Sequence, residues 1–243
     1  MQKESLVTKP FQVIDVQLLA ADVYRVQLGC DQGYVPQYYA GQYLEILLGD
    51  SDALAFSIAS APSNNQKSLE LHIQKLSGRE SSEKLFDQLN TGSVIVRMAK
   101  GRCYVNQITN RPLLLIAAGT GFAQMKSIVE YCLNKQHHGD IHLYWGAKKP
   151  SNFYLPSLPI HWSEKKLIYH PVVSDISSES DWCGRFGLLY EAVLADKEKI
   201  TEAEIYISGS PNMVYTTMDL IVDHGFDQSR VHSDVFEYAP RNN

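Results

Sequence analysis

Leu113–Leu133, LLLIAAGTGFAQMKSIVEYCL, is an apolar run that changes its period at Gly119-Thr120-Gly121. From Leu113 to Ala118 every side chain is apolar, the pattern of a parallel strand covered on both faces. From Phe122 the apolar positions are Phe122, Met125, Ile128, Val129, Cys132 and Leu133, which share one face of a helix. A glycine-rich turn therefore joins a buried strand to a helix N-terminus, whose free N–H groups and positive dipole end suit a phosphate or pyrophosphate. The turn is neither G-x-G-x-x-G nor a P-loop, since no Gly-Lys-Ser/Thr follows. A tight strand-to-helix turn also needs small residues for steric reasons. By itself it leaves nucleotide binding open.

Downstream of this run the pattern alternates strand and helix, as in a parallel sheet with helices on its faces. Further strands are expected at Ile141–Gly146, Leu167–Val173, Glu204–Ser208 and Val231–Phe236, five in all. Helices are expected at Leu188–Leu194 and at Pro211–Val222, the second with Pro211 in its first turn and Ser210 as N-cap. Three prolines in Lys149–Pro159 leave room for a short helix at most. Ligands of such sheets sit at the carboxyl ends of the strands, where the turns at Gly119–Gly121, Gly146 and Ser208–Pro211 are expected to converge.

Upstream the chain reads as short antiparallel strands at Phe11–Leu19, Asp22–Leu28, Tyr43–Leu48, Leu54–Ala59, Leu69–Lys75, Val94–Met98 and Arg102–Val105. Their density points to a small antiparallel β-barrel. One helix, Arg79–Leu89, interrupts them with Leu85, Phe86 and Leu89 on one face, and Thr91-Gly92 ends it. The polar stretch NQITNRP before Leu113 places a boundary there, giving an N-terminal domain over 1–108 and a C-terminal domain over 109–243.

The 243-residue chain is 44% hydrophobic and 20% charged, values of an ordinary globular protein able to bury a sizeable core. A formal charge of −5 with no Lys/Arg stripe argues against nucleic acid as a partner. No apolar run approaches the ~20 residues of a membrane span and MQKESLVTKPFQV lacks the apolar core of a signal peptide, so a cytoplasmic location is expected. Cys30, Cys103, Cys132 and Cys183 have no metal or iron–sulfur spacing and are expected to be buried free thiols. The histidines show no paired ligand spacing either, so no metal site is expected.

Six segments in order, Ala40-Gly-Gln-Tyr-Leu44, Phe56-Ser-Ile-Ala-Ser60, Leu69-Glu-Leu-His-Ile73, Gly119-Thr-Gly-Phe122, Tyr144-Trp-Gly146 and Ser208-Gly-Ser-Pro-Asn-Met213, resemble the ferredoxin–NADP reductase superfamily. Within it the likeness is to bacterial NAD(P)H:flavin oxidoreductases, including those that supply reduced flavin to luciferase. The resemblance spans almost the whole chain. It implies a flavin-binding barrel followed by a nicotinamide-nucleotide domain, with FMN, FAD or riboflavin and NADH or NADPH as the small molecules.

The resemblance also assigns a site. Phe56, Ser57, Ile58, Ala59 and Ser60 lie along the flavin ring, with Ser57 hydrogen-bonding near N5, the hydride acceptor. His72 and Ile73 meet the ribityl side. Gly119, Thr120, Gly121 and Phe122, with Gly209, Ser210, Pro211 and Met213, frame the pyridine nucleotide, and Trp145, Gly146 and Arg185 are candidates beside them. Phe236 and its neighbours Asp234 and Tyr238 come near the isoalloxazine. Hydride transfer then needs stacking of the two rings, with Ser57 in a positioning role.

One departure matters. Where the family has Arg-x-(Phe/Tyr)-(Ser/Thr), this chain reads Leu54-Ala-Phe-Ser57. Loss of the arginine removes a charge-assisted bond of ~1.5–3 kcal/mol, so flavin is expected to be a weakly held substrate unless Arg79 or Arg102 substitutes. Lys148 and Lys149 could meet a ribose phosphate, and the NADH or NADPH preference stays open. The expected acceptors of reduced flavin are a flavin-dependent monooxygenase or ferric iron. Two alternatives are a reductase with bound flavin serving a separate iron–sulfur or haem protein, and a non-catalytic nucleotide-sensing or partner-binding module.

Overall fold

The computed structural model of the chain describes residues 6–30, 33–49, 52–175 and 181–241. Strands β1 (Val7–Ala20), β2 (Val23–Gly29), β3 (Tyr43–Leu47), β4 (Ala53–Ser57), β5 (Ser68–Gln74) and β6 (Ser93–Lys100) form an antiparallel sheet in the order β4-β3-β6-β1-β2-β5. Its two edges meet. Ile58, just past β4, bridges Leu71 of β5, and the Ala59 N–H donates to the Glu70 carbonyl at 2.7 Å, so the sheet closes into a barrel and no edge is left unpaired there. Alternation along β2 sends Val26 and Leu28 into the barrel core with Phe11, Leu44, Ile46 and Val96. Helix α1 (Glu80–Asn90) adds Leu85, Phe86 and Leu89 to that core and ends where Gly92 takes φ +86°.

The second sheet contains β7 (Leu113–Ala118), β8 (Ile141–Ala147), β9 (Leu167–Val173), β10 (Arg185–Phe186), β11 (Glu204–Ser208) and β12 (Val231–His232). All are parallel, in the order β10-β9-β8-β7-β11-β12. Its helices are α2 (Phe122–Asn134), α3 (Ser157–Ser163), α4 (Leu189–Ala195), α5 (Lys197–Ile200), α6 (Pro211–Asp223) and α7 (Val235–Tyr238). Strand β7 is apolar throughout because alternate residues serve different cores. Leu113, Leu115 and Ala117 pack with Phe122, Met125 and Ile128 of α2, whereas Leu114 and Ile116 pack with Val193 of α4 and Val214 and Ile221 of α6. Each such large side chain contributes about 1.5–3 kcal/mol on burial. From β7 the chain builds outward to β8, β9 and β10 on one side and then returns to place β11 and β12 on the other. The order therefore reverses at β7, and the turns after β7 and β11 become neighbours.

Four expectations need correction. Arg102–Val105 is not a strand, because its amides are taken elsewhere: Cys103 N–H by the Asp234 carboxylate at 3.4 Å and Val105 N–H by the Ala40 carbonyl at 3.0 Å. The strand expected over Val231–Phe236 stops at His232 and becomes α7, where Ser233 Oγ accepts from the Val235 N–H and starts a helical turn. The parallel sheet has six strands rather than five, the addition being the two-residue β10. Of the four cysteines only Cys103 and Cys132 are buried; Cys30 is half-buried and Cys183 is exposed. Among the described residues no helix is long and apolar enough to cross a membrane.

Candidate active site

The carboxyl edge of the parallel sheet faces the barrel across a cleft with two compartments. One, of about 720 Å³, lies against β3, β4 and β5 and is bordered by Tyr43, Glu45, Ala55, Phe56, Ser57 and His72, with Ser208–Ser210 and the start of α7 opposite. The other, of about 900 Å³, lies over the ends of β7, β8 and β9 and is bordered by Gly146, Lys148, Tyr154, Val172, Leu188 and Met213. Gln74, Ala118, Gly119 and Thr120 border both, so the compartments meet at the turn that follows β7.

That turn is a single 3₁₀ turn over Gly119–Gly121 leading into α2, with Gly119 at φ +54°, a left-handed conformation that disfavours any side chain. A Cβ on Gly121 would collide with the main-chain carbonyl of Ser208, so the β7 and β11 turns touch backbone to backbone. Neither the 3₁₀ turn nor the first turn of α2 has an acidic residue or a side-chain cap, and since the Phe122 N–H donates back to the Gly119 carbonyl, the N–H groups open to a ligand at this end are those of the 3₁₀ turn. Helix α6 is different, since Ser210 Oγ accepts from the Met213 N–H at 3.4 Å, and it begins on Pro211 as expected.

The expected residues divide into three groups. Phe56, Ser57 and His72 border the barrel-side compartment with Gly119, Thr120, Gly121, Gly209 and Ser210 across from them, and Gly146 and Met213 border the compartment over the ends of β7, β8 and β9. The Ser57 hydroxyl is engaged by no group among the described residues and faces the cavity. A second group has side chains in the interior. Ile58, Ala59, Phe122 and Trp145 are wholly buried and Ile73 nearly so, and the Phe122 and Trp145 rings stack on each other at 3.8 Å, leaving only backbone for a ligand. The Ser60 hydroxyl accepts from the Glu70 N–H and meets Tyr38, so it serves the barrel.

The third group lies apart from both compartments. Arg185 is bound to the Asp196 carboxylate and donates to the Ala192 carbonyl at 3.1 Å. Tyr144 donates to the same carboxylate at 2.7 Å, and burial together with the Arg185 charge pushes His170 beside it down to about 4. Arg185 thus anchors the segment leading to Gly187–Leu189. Phe236 packs on Tyr215 and the core behind α6, and Pro211 borders neither compartment.

No lysine or arginine borders the barrel-side compartment among the described residues. Arg97 and Lys100 of the neighbouring β6 are held by Glu45, which does border it, at 2.6 and 2.5 Å. Leu54 packs against the barrel core, and Arg79 and Arg102 border neither compartment; Arg102 is almost fully exposed, 3.5 Å from Glu237.

Gln124 and Lys126 were not foreseen as part of the site's frame. Gln124 Nε2 donates to the Gly41 carbonyl at 2.6 Å and to Asp234 Oδ2 at 2.8 Å, tying α2 to the barrel and to the segment before α7. Burial pushes the Asp234 carboxyl up to about 7, against the opposing bonds from Cys103 N–H and Gln124. The unfolded chain has this group near ~3.9, so the folded state holds an extra proton between those values. Stability conferred by that proton is present in acid and is lost as pH rises through about 7. The urea midpoint is therefore expected to be lower near ~pH 8 than near ~pH 5, and Asp234→Asn to remove that slope. An equal slope in the variant sinks the assignment.

Residues 115–219 match the family described as oxidoreductase NAD-binding domain. An NAD(P)H-flavin reductase of Vibrio harveyi is 35% identical over 205 residues, covering 82% of this chain and 85% of the relative. CDP-6-deoxy-L-threo-D-glycero-4-hexulose-3-dehydrase reductase of Yersinia pestis is 30% identical over 232 residues, covering 94% of this chain and 69% of the relative. Among solved structures, the ferredoxin reductase in carbazole 1,9a-dioxygenase superposes with a TM-score of 0.83 at 23% identity, covering 96% of this chain and 70% of that one, a likeness of fold. Barrel, switch-point turn and sequence agree: the chain belongs to the ferredoxin–NADP reductase superfamily, oxidoreductases working with a flavin and a nicotinamide nucleotide, among the NAD(P)H-flavin reductases and their relatives.

Proposed function

We propose that the protein is an NAD(P)H-dependent flavin reductase that passes a hydride from nicotinamide C4 to flavin N5 and holds its flavin weakly, as a substrate. Residues 1–108 then supply the flavin side and 109–243 the nucleotide side. The observation that carries the reading is the meeting of the two compartments at Gly119-Thr120, with the unengaged Ser57 hydroxyl on the barrel wall. The overall change is NAD(P)H + flavin + H⁺ → NAD(P)⁺ + reduced flavin, two electrons moving with the hydride. The uncapped 3₁₀ turn that leads into α2 takes the nucleotide pyrophosphate, and Gly119 and Gly121 let it approach the backbone. Ser57 orients the ring at N5. Asp234, bordering the same compartment, holds a proton near neutral pH, and both of its oxygens already accept bonds, so that proton is directed away from Cys103 and Gln124.

Weak retention is supported by the lack, among the described residues, of a cation bordering the compartment where a flavin phosphate would need one. The purified protein is expected to emerge colourless from gel filtration and to show saturable dependence of NAD(P)H oxidation on added riboflavin, FMN or FAD. Retention of a full visible flavin spectrum would overturn the substrate assignment and favour a reductase with bound flavin serving a partner. That second reading has support in the Yersinia relative, which is the reductase of a dehydrase. No NAD(P)H oxidation with any of the three flavins leaves only the nucleotide-sensing reading. The same assays with NADH against NADPH test whether Lys148, at the nucleotide-side rim, prefers a second phosphate.

A further inference from the structure

A chain of buried polar side chains crosses between the two halves at the junction of the compartments. On α2, Lys126 Nζ lies 3.0 Å from Glu130 and 3.4 Å from Glu70 of β5, and it donates to the Ala59 carbonyl at 3.3 Å. Glu70 Oε1 is 2.8 Å from His72 Nε2, and His72 Nδ1 is 3.0 Å from the Tyr154 hydroxyl. His72 borders the flavin-side compartment and Tyr154 the nucleotide-side one, yet each is only 4% exposed.

The donor and acceptor roles follow from the charges. Burial pushes the Glu70 carboxyl up, but the His72 bond and the Lys126 charge outweigh it and hold it at about 2, so Glu70 is an ionised acceptor. His72 Nε2 must then carry the proton. Burial keeps the ring neutral, so Nδ1 is an acceptor and the Tyr154 hydroxyl donates to it. Both nitrogens of His72 are committed to protein partners, which rules the ring out as a proton donor to a ligand. Tyr154 follows β8 on the nucleotide side, whereas Glu70 and His72 sit on a barrel strand, so their bond registers one wall of the cleft against the other.

We propose that Glu70, His72 and Tyr154, anchored by Lys126, act as one positioning unit that sets the spacing of the nicotinamide and flavin rings; this rests on the flavin reductase reading. Each ring is bound mainly by its own half, whereas hydride transfer needs reacting atoms about 3–3.5 Å apart, and a misplacement of about 1 Å can cost ~10²-fold. The unit therefore acts on the chemical step more than on binding.

Tyr154→Phe removes one hydroxyl and keeps the ring packed on Phe122 and Trp145. The expected result is a fall in kcat of about tenfold with both KM values within about twofold, and a larger primary isotope effect with 4-deuterated NADH as hydride transfer becomes more fully rate-limiting. Glu70→Leu is expected to do the same, and the double variant to be no worse than either single one, because the residues act as a unit. A thermal melt of each variant checks folding. An unchanged kcat and isotope effect in folded Tyr154→Phe, or additive losses in the double variant, overturns the positioning unit alone. A wild-type protein that oxidises no NAD(P)H with any flavin overturns the reductase reading and the unit with it.

Discussion

Replacing Ser57 with alanine is expected to lower turnover of NAD(P)H with flavin about 10²-fold, with the flavin KM changed by no more than a few-fold. Ser57 ends β4 opposite Tyr43 and borders the cavity that the Gly119–Gly121 turn faces, its hydroxyl engaged by no group among the described residues. Two neighbouring hydroxyls are committed, Ser60 to the Glu70 amide and Tyr38, and Ser127 to the Ser60 carbonyl at 2.9 Å. On the proposed reaction, Ser57 is the barrel-wall hydroxyl that follows the change at flavin N5 as the hydride arrives. A contact that strengthens only in the transition state affects kcat, whereas one used equally in both states affects KM. A Ser57→Ala protein whose kcat stays within about threefold of wild type removes Ser57 from the mechanism.

Gly121→Ala is expected to be comparably damaging for a different reason. Gly121 has helical torsions, φ −56° and ψ −18°, so alanine meets no backbone penalty there and would even favour the helix by up to about 1 kcal/mol. The obstacle is steric. The added methyl meets the carbonyl of Ser208, main chain at the hydrogen-bonded end of β11 rather than the tip of a flexible side chain. Overpacking of this kind costs about 1–3 kcal/mol and is expected to part the β7 and β11 turns at the junction of the compartments. Melting temperature should fall by several degrees and NAD(P)H turnover by at least about tenfold. Gly119→Ala is the contrast, because its methyl meets open space and only the left-handed torsion is strained. Equal stability of Gly121→Ala and wild type would show that the two turns can move apart freely.

The fold was readable where periodicity was long. The run from Leu113 to Cys132 announces a doubly covered strand and a one-faced helix, and both form at the expected places. Short or locally competing segments were not readable. β10 has two residues, too few to carry a pattern, and Ser233 diverts an alternating stretch into a helical turn. Side-chain roles were harder than backbone. The family resemblance puts Arg185, in Gly184-Arg-Phe-Gly187, beside the nucleotide, but Asp196, brought back by α4, claims the guanidinium. Phe122 and Trp145 occupy motif positions with their backbones while their rings stack inside the core. Gln124, Lys126, Ser127 and Glu130 read as the polar side of an amphipathic helix, and no periodicity tells whether such a side meets water or another part of the same chain.

Here it meets the barrel. Gln124, Lys126 and Ser127 donate to the carbonyls of Gly41, Ala59 and Ser60, so separating the halves would strand three main-chain acceptors and an ion cluster on freshly exposed apolar surface. Hinged enzymes place a ligand between lobes that swing; on the proposed reading this one places it at the tip of a helix whose body is bolted across the gap. On that reading the cleft is set before either ligand arrives, little ordering entropy is left for binding to overcome, and a nucleotide seated on the turn that leads into α2 presses on the same rigid rod that supports the flavin wall.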